Sequence, residues 1–214
     1  MPLSPIEQRI KAKIEAVGKP LKEWDVNIYR GILTGYNEAF IIDGKKKDEL
    51  IAEDPKSAEI IRPLLRGRDI KRYGYEFTDL HLITTFPSLK IDIEMYPAVK
   101  QHLLCFGYDR LKQTGELGAR KKTNNQWFET QDSISYWEDF YKQKIIFQEI
   151  VQEPAFMFDG DNGFFCLDTA RIITGNDIKF LLPILNSKLF FFAIKYFYGG
   201  GSLGNSGVRM KHTF

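Results

Sequence analysis

Three short segments of the sequence combine side chains whose chemistry suits contact with nucleic acid. Lysine and arginine bind phosphates with an affinity that falls as salt rises, arginine also pairs with guanine, and asparagine and glutamine pair with adenine. The candidate contact residues are Arg30, Thr34 and Asn37; Arg66, Arg68, Lys71 and Arg72; and Arg120, Lys121, Lys122, Asn124, Asn125 and Gln126. Asn124, Asn125 and Gln126 are favoured for base edges, with Arg30 and Asn37 as further candidates for that role. The candidates for phosphate contact are Arg66, Arg68, Lys71, Arg72, Lys121 and Lys122.

Each segment also has a purely structural interpretation. Gly35 and Asn37 are typical turn residues, because glycine accepts a positive φ and asparagine bonds to its own backbone. Asp69 could pair with a neighbouring arginine and fix the loop that carries it. Trp127 and Phe128 could simply anchor the third segment to the core. The residue types alone leave both interpretations open.

Motifs for catalysis are absent or out of context. The amino-methyltransferase signature requires two adjacent prolines, and none adjoin in this chain. Gly199, Gly201 and Gly204 fit G-x-G-x-x-G, but a nucleotide site needs that motif between a strand and a helix. Asp69-Ile70-Lys71 and Asp177-Ile178-Lys179 resemble half of a magnesium nuclease motif without the partner aspartate. We therefore expect no catalytic residue in the chain, and a magnesium-dependent nuclease is kept as an alternative.

Histidine and cysteine usage predicts no metal site. The histidines at 81, 102 and 212 have no ligand spacing with one another or with Cys105 and Cys166. The two cysteines predict no disulfide framework, and the N-terminus has no signal-peptide pattern. No apolar run free of charge reaches the length of a bilayer span. These observations predict a cytoplasmic protein with no membrane contact.

Charge is segregated along the chain. The net charge of +2 is too small to indicate nucleic acid by itself. Basic residues nevertheless crowd residues 62–72 and 110–122, and acids gather at 48–54 and 129–139. Such a chain could present one basic face to phosphates, although solvated faces explain the same pattern. A hydrophobic content of 43% indicates a globular chain with a substantial core.

The elements that must position these residues alternate irregularly between helix and strand. Periodicity and capping residues predict helices at 5–17, 45–50, 55–65, 94–106 and 180–197, and strands at 26–32, 40–42, 68–77, 80–86, 144–151, 155–158, 164–167 and 170–174. Clustered strands with interspersed helices predict an α+β fold. We divide the chain into a helical lead-in, 1–23, and a main domain, 24–214.

Several of these segments together resemble one known family. The specific ones are the T-G-x-N-x-A-F run within 29–40 and the L-L-R-G-R-D-I run within 60–70. Weaker matches stand in order at 14–24, 144–147 and 182–189. On these residues the chain resembles the TaqI-like C-terminal specificity domain, the target-recognition part of DNA adenine methyltransferases and of restriction enzymes fused to them.

The resemblance implies a fold and a role. It implies a mixed, largely antiparallel sheet domain with an N-terminal helix and C-terminal helices, which binds double-stranded DNA. An upstream methyltransferase domain of the same protein would bind S-adenosylmethionine and flip the target adenine, and a fused nuclease using Mg²⁺ occurs in some relatives. The chain itself would hold no cofactor and position DNA for methylation or cleavage. The alternative from another class is a protein–protein assembly module of a defence complex.

Overall fold

Two four-stranded sheets form the framework of the computed structural model, which describes residues 3–161, 163–198 and 207–210. The strands are β1 Val26–Arg30, β2 Ile41–Asp43, β3 Ile61–Leu65, β4 Ile70–Lys71, β5 Gly74–Tyr75, β6 Leu80–Ile83, β7 Lys144–Gln148, β8 Ile150–Val151, β9 Phe156–Asp159, β10 Phe165–Cys166, β11 Ala170–Gly175 and β12 Val208–Arg209. The helices are α1 Pro5–Val17, α2 Asn37–Phe40, α3 Gly44–Glu53, α4 Pro97–Leu104, α5 Tyr108–Leu111, α6 Ile178–Leu185 and α7 Lys188–Ala193.

The two sheets differ in strand direction. The first sheet has the order β1-β11-β7-β9 and is antiparallel throughout. The second has the order β10-β3-β6-β2, in which only β10 and β3 run parallel among the described strands. Two small antiparallel pairs, β4–β5 and β8–β12, complete the sheet structure of the described residues. The predicted α+β fold with a mixed, largely antiparallel sheet and helices at both ends is confirmed.

The first sheet is buried on both faces. Alternate residues of β7 and β11 enter two separate cores, because side chains on a strand point to opposite faces in turn. Ile146 and Ile172 pack in the larger core with the second sheet. Ile145 and Ile173 pack in the smaller core with α6. The sheet is therefore a rigid central layer, and polar side chains reach solvent only towards the ends of its strands.

The N-terminal helix begins as the sequence predicts. Ser4 Oγ accepts a hydrogen bond from Glu7 N, and Ser4 N donates to Glu7 Oε2 at 2.7 Å, which together form a capping box. The helix ends at Val17, and no residue in it is buried. Ile6 and Val17 are largely exposed. The apolar residues that predict an amphipathic helix are thus exposed to solvent along much of the helix.

The predicted helix at 55–65 is wrong in its second half. Pro55–Glu59 forms a 3₁₀ turn, and Ile61–Leu65 is strand β3, which pairs with β6 and β10. Pro63 lacks the N–H that an interior helical position requires. The paired apolar residues on either side of it fit a buried strand in this sheet better.

Two other predicted elements are each interrupted in the structure. The predicted strand at 68–77 is a 3₁₀ turn followed by the short hairpin β4–β5, because Tyr73 takes a positive φ of 64°. The predicted helix at 180–197 is divided at Asn186, whose buried side-chain amide exchanges two hydrogen bonds with the backbone of Phe156. Ser187 then caps α7 through Phe190 N.

No single helix in the described residues is long and apolar enough to cross a membrane. Residues 178–185 and 188–198 reach that length and composition only as a pair that is bent by 66°. The G-x-G-x-x-G run at 199–204 and the histidine at 212 lie outside the described residues.

Candidate nucleic-acid interface

The third basic segment lies on a long excursion between α5 and β7, which we call the amide loop (residues 112–131). Arg120 N donates to Lys112 O at 2.9 Å, and Thr123 N donates to Gln113 O at 3.0 Å, so the loop folds back on itself. Lys121 and Lys122 are exposed near this fold. The predicted exposed basic segment is therefore present, although its members divide into surface and buried residues.

Arg120 is the centre of the amide loop and is only 2% exposed. Its guanidinium donates four hydrogen bonds to main-chain carbonyls, at distances of 2.6 to 3.0 Å. The acceptors are Leu111, Thr34, Glu129 and Trp127. Burial lowers the pKa of Arg120 to about 10, so the side chain is still charged at neutral pH. The prediction that Arg120 contacts DNA conflicts with this position, because every nitrogen of the guanidinium is used inside the fold.

The amides of the loop serve two purposes. Asn125 Nδ2 donates to the carbonyls of Thr130 and Gln131, at 3.0 and 2.9 Å, and so holds the loop together. Asn124 and Gln126 are exposed, and their side chains form no hydrogen bond with a described residue. These two amides stay candidates for base contact, whereas Asn125 has a structural role in this conformation.

The turn after β1 is held by its own side chains. Thr34 is fully buried, and its Oγ1 donates to Asn37 Oδ1 at 2.7 Å and accepts from Tyr36 N at 3.1 Å. Gly35 takes a positive φ of 78°, as the turn interpretation requires. Thr34 is thus closed to a ligand, while Asn37 is exposed at the start of α2. Contact between Asn37 and DNA stays a prediction.

In the second basic segment, one arginine is paired with an aspartate and three basic residues are exposed. Arg66 forms a forked ion pair with Asp69, with Nε–Oδ2 and Nη2–Oδ1 distances of 2.9 Å. Burial would raise the pKa of Asp69, but the hydrogen bonds from Arg66 outweigh it and lower that pKa. The structural interpretation of Asp69 therefore accounts for the Arg66 side chain.

The remaining members of the second segment, Arg68, Lys71 and Arg72, are exposed. Lys71 Nζ lies 3.3 Å from Glu76 Oε2, and Arg72 Nη2 donates to Asn186 O at 2.9 Å. Each side chain has further N–H donors beyond these contacts. All three residues stay candidates for phosphate contact.

Arg30 lines an open cleft of about 710 Å³ at the end of the first sheet. Its Nη2 donates to Asp168 Oδ2 at 3.1 Å, and its Nη1 lies 3.8 Å from Asp132 Oδ2. An added Cβ at Gly31 would lie 2.0 Å from Leu167 O, so only glycine lets the chain after Arg30 approach this closely. This close approach brings Arg30 beside Asp168 despite 138 residues of separation.

The cleft contains functional candidates that the sequence did not single out. They are Gln148, Glu149, Asp168, Thr169, Arg171 and Arg209. Arg171 was the detectable one, because it is a single charge inside the apolar strand β11. The others come together only through the pairing of β7, β11 and the β8–β12 pair.

Parts of the second basic segment and of the amide loop lie near the cleft. An added Cβ at Gly67 would lie within 3.3 Å of Gln148 and Thr169, so the second segment borders one side of the cleft. Asp132, which follows the amide loop, lies beside Arg30. Burial raises the pKa of Asp132, and the nearby charge of Lys121 opposes that rise. Each of the three segments therefore has a residue in or near the cleft.

The described residues contain no cluster of three or more histidine, cysteine, aspartate or glutamate side chains placed to hold a metal ion. Both carboxylate oxygens of Asp69 accept hydrogen bonds from Arg66, which leaves this residue poorly suited to bind Mg²⁺. Asp177, in the second nuclease-like motif, is exposed at the start of α6.

Comparison with solved structures finds the same fold in two restriction enzymes. A type IIL restriction-modification enzyme, MmeI, in complex with DNA matches 92% of this chain with a TM-score of 0.54 and 12% identity. The type IIG restriction endonuclease BpuSI matches 87% with a TM-score of 0.53 and 16% identity. The chain covers 25% and 23% of those two proteins, about a quarter of their length. A comparison with curated proteins found no significant match.

The sequence itself matches one family model, described as the TaqI-like C-terminal specificity domain, over residues 62–201. The matched residues include the second basic segment, the amide loop and the cleft residues of β7 and β11. Because the match extends over well more than half of the chain, the protein belongs to the family of TaqI-like C-terminal specificity domains.

Proposed function

We propose that this chain is the DNA sequence-recognition domain of a restriction–modification methyltransferase, and that it positions duplex DNA for adenine methylation or cleavage by a catalytic domain elsewhere in the protein. Family membership supports the recognition role. The observation that carries the proposal is the cleft at Arg30, which has Gly67 of the second basic segment packed against it and Lys121 of the amide loop near its Asp132. The DNA-bound state reported for MmeI supports the same kind of ligand.

The proposed mechanism divides the work between two kinds of contact. Exposed lysines and arginines on both sides of the cleft bind phosphates and fix the register of the duplex. Exposed amides and the cleft side chains then face the bases. The domain selects the adenine that a partner domain flips, and that partner supplies S-adenosylmethionine, with Mg²⁺ if it also cleaves DNA. For this role we propose a cytoplasmic location.

The exposed apolar residues at the C-terminal helices support an interface with the catalytic domain. Phe180, Ile184, Leu189 and Tyr196 are each at least half exposed. Exposed apolar clusters commonly mark protein interfaces. We propose that this face and the lead-in at 1–23 meet the catalytic domain of the same protein. The same residues favour the second candidate function, an assembly module, which predicts no binding to DNA at any salt concentration.

The test is binding of the full chain to random-sequence duplex DNA over a range of salt concentrations. We expect the double variant Lys121→Ala, Lys122→Ala to bind more weakly than the wild type. Its slope of log affinity against log salt should fall by about 0.9 for each phosphate that the variant no longer neutralises. The effect should be similar for every DNA sequence, because phosphate contacts carry no base information.

The matched control is Lys45→Ala, Lys46→Ala on α3. This pair is also adjacent and basic, and Lys46 forms an ion pair with Glu49. Helix α3 follows β2, which is the strand of the second sheet farthest from β10. We expect wild-type binding from this control. Binding that ignores salt, or equal losses in both double variants, would contradict the proposed phosphate surface.

A further inference from the structure

The cleft at the end of the first sheet holds two arginines side by side. Arg30 and Arg171 are directly paired between β1 and β11, so their side chains lie on the same face of the sheet. Like charges in this position destabilise a sheet. Each arginine is held by its own carboxylate: Arg30 by Asp168 at 3.1 Å, and Arg171 by Glu149 at 2.7 Å. The two ion pairs thus offset the repulsion between the neighbouring arginines.

Arg171 is incompletely satisfied in this arrangement. It is 6% exposed, and its Nε and Nη1 have no hydrogen-bond acceptor among the described residues. Buried donors without acceptors cost free energy and are rare in native proteins. Because the residue lines the cleft, an incoming ligand with acceptor atoms, or water held by it, would complete its bonding. This is the observation in the cleft that points to a ligand.

The charge balance of the cleft argues against a phosphate as that ligand. Three arginines, at 30, 171 and 209, are matched by the carboxylates of Asp132, Glu149 and Asp168. A phosphate would gain little net attraction here and would lie close to those carboxylates. A base pair presents acceptors and an amino donor on the same edge. The mixed set of donors and acceptors therefore fits a base edge better than a phosphate.

Arg30 is the side chain best placed to read such an edge. Its side chain is 44% exposed, and ion pairs with Asp132 and Asp168 hold its guanidinium in place. Arginine contacts guanine through N7 and O6, which lie in the major groove. Asp168 could accept from the amino group of the paired cytosine in the same way that carboxylates read cytosine elsewhere.

We propose that the cleft is a base-reading site for duplex DNA, at which Arg30 donates hydrogen bonds to N7 and O6 of a guanine. This inference rests on the proposed DNA-recognition function and assigns one part of it. The lysines of the amide loop supply affinity for any sequence, whereas Arg30 supplies preference for one G·C base pair. The two contributions can be measured separately.

The first experiment selects preferred sequences from a random duplex library with the full chain. We expect a guanine at one position, favoured over the other bases by roughly ten-fold. Replacement of that guanine by 7-deazaguanine removes the N7 acceptor and leaves the backbone charge unchanged. Wild-type affinity should fall with this substitution, and no change in the protein is needed to see it.

The second experiment repeats the measurement with Arg30→Met, which removes both the guanidinium fork and its charge. This variant should lose its preference at that position, keep the wild-type salt slope, and bind both forms of the guanine equally. The double variant Lys121→Ala, Lys122→Ala is the control. It should bind more weakly, with a lower salt slope, and keep the preference for guanine.

Three results would overturn the inference. A wild-type protein that binds DNA with no guanine preference has no base-reading site of this kind. A 7-deazaguanine duplex bound as tightly as the parent excludes contact with N7. An Arg30→Met variant that keeps its preference but has a lower salt slope assigns Arg30 to a phosphate. In these cases DNA binding itself stands, whereas absence of wild-type binding at low salt would remove the proposed function as well.

Discussion

Two buried arginines in neighbouring regions of the molecule differ in how many of their N–H donors have an acceptor. Arg120, in the amide loop, gives all of its nitrogens to four main-chain carbonyls. Arg171, in the cleft, bonds Glu149 through Nη2 and leaves Nε and Nη1 without an acceptor in the described chain. The first completes a loop, and the second leaves bonding capacity at a concave surface. The number of satisfied donors, more than burial or charge, separates a structural arginine from a candidate functional one.

The largest test of this comparison is Arg120→Met. The substitution removes one donor from each of four carbonyls. Thr34 O and Glu129 O keep a second donor, from Gln131 N and Gln113 Nε2, whereas Leu111 O and Trp127 O lose the Arg120 bond without such a replacement. Each unsatisfied buried group costs about 1–3 kcal/mol. We expect the free energy of unfolding to fall by roughly 3 kcal/mol or more, since water can reach only part of the loop. Urea denaturation followed by circular dichroism measures this loss. A loss below about 1 kcal/mol would contradict the structural role of Arg120.

Arg171→Met should have a smaller effect on stability. The variant removes two buried donors that lack acceptors and one ion pair to Glu149, which stays 3.7 Å from Arg209. These changes partly cancel, so we expect a change of about 1 kcal/mol or less. The same denaturation experiment checks it. A loss as large as that of Arg120→Met would mean that the two arginines are structurally equivalent.

The smallest expected effect is a pH dependence of stability, which arises from two histidines whose pKa is lowered by burial. Burial lowers the pKa of His102, against the opposing effect of its hydrogen bond to Ala39 O, and burial also lowers the pKa of His81. A depressed histidine pKa gives stability that is present above the unfolded value of about 6.5 and is lost as pH falls below it. We expect a gradual loss of unfolding free energy from about pH 7.5 to about pH 5.5.

His102→Gln isolates the contribution of one histidine to this pH dependence. Glutamine retains an amide donor for Ala39 O and does not titrate in that range. The variant should therefore show a shallower decline with acid than the wild type. Identical slopes would show that other groups cause the decline.

Local signals predicted the fold better than the site. The start of the N-terminal helix, the apolar strands of the first sheet and the exposed loop with Lys121 all depend on neighbouring residues, and the sequence predicts them. Arg120 resembles one more surface cation in the sequence, because its acceptor at Thr34 is 86 residues away. The cleft was not predicted, since Arg30 and Asp168 meet only through long-range strand pairing.

The failures at residues 55–65 and 186 have the same origin. A helical pattern of apolar residues also fits strand β3 once β6 and β10 are available as partners. Asn186 interrupts the C-terminal helix because a strand backbone offers its amide two bonds. Tertiary partners decided both cases, and no short window of sequence contains them.

The double-sided burial of the first sheet has a consequence for how new specificities arise. Its strands are held by apolar residues in both cores, whereas Arg30, Gln148 and Thr169 lie at strand ends or just beyond them and reach the cleft. Exchange of such rim residues leaves the interior contacts intact. We thus expect the domain to tolerate many different side chains at these strand ends. A few substitutions there could change the DNA sequence that is recognised while every intermediate stays folded.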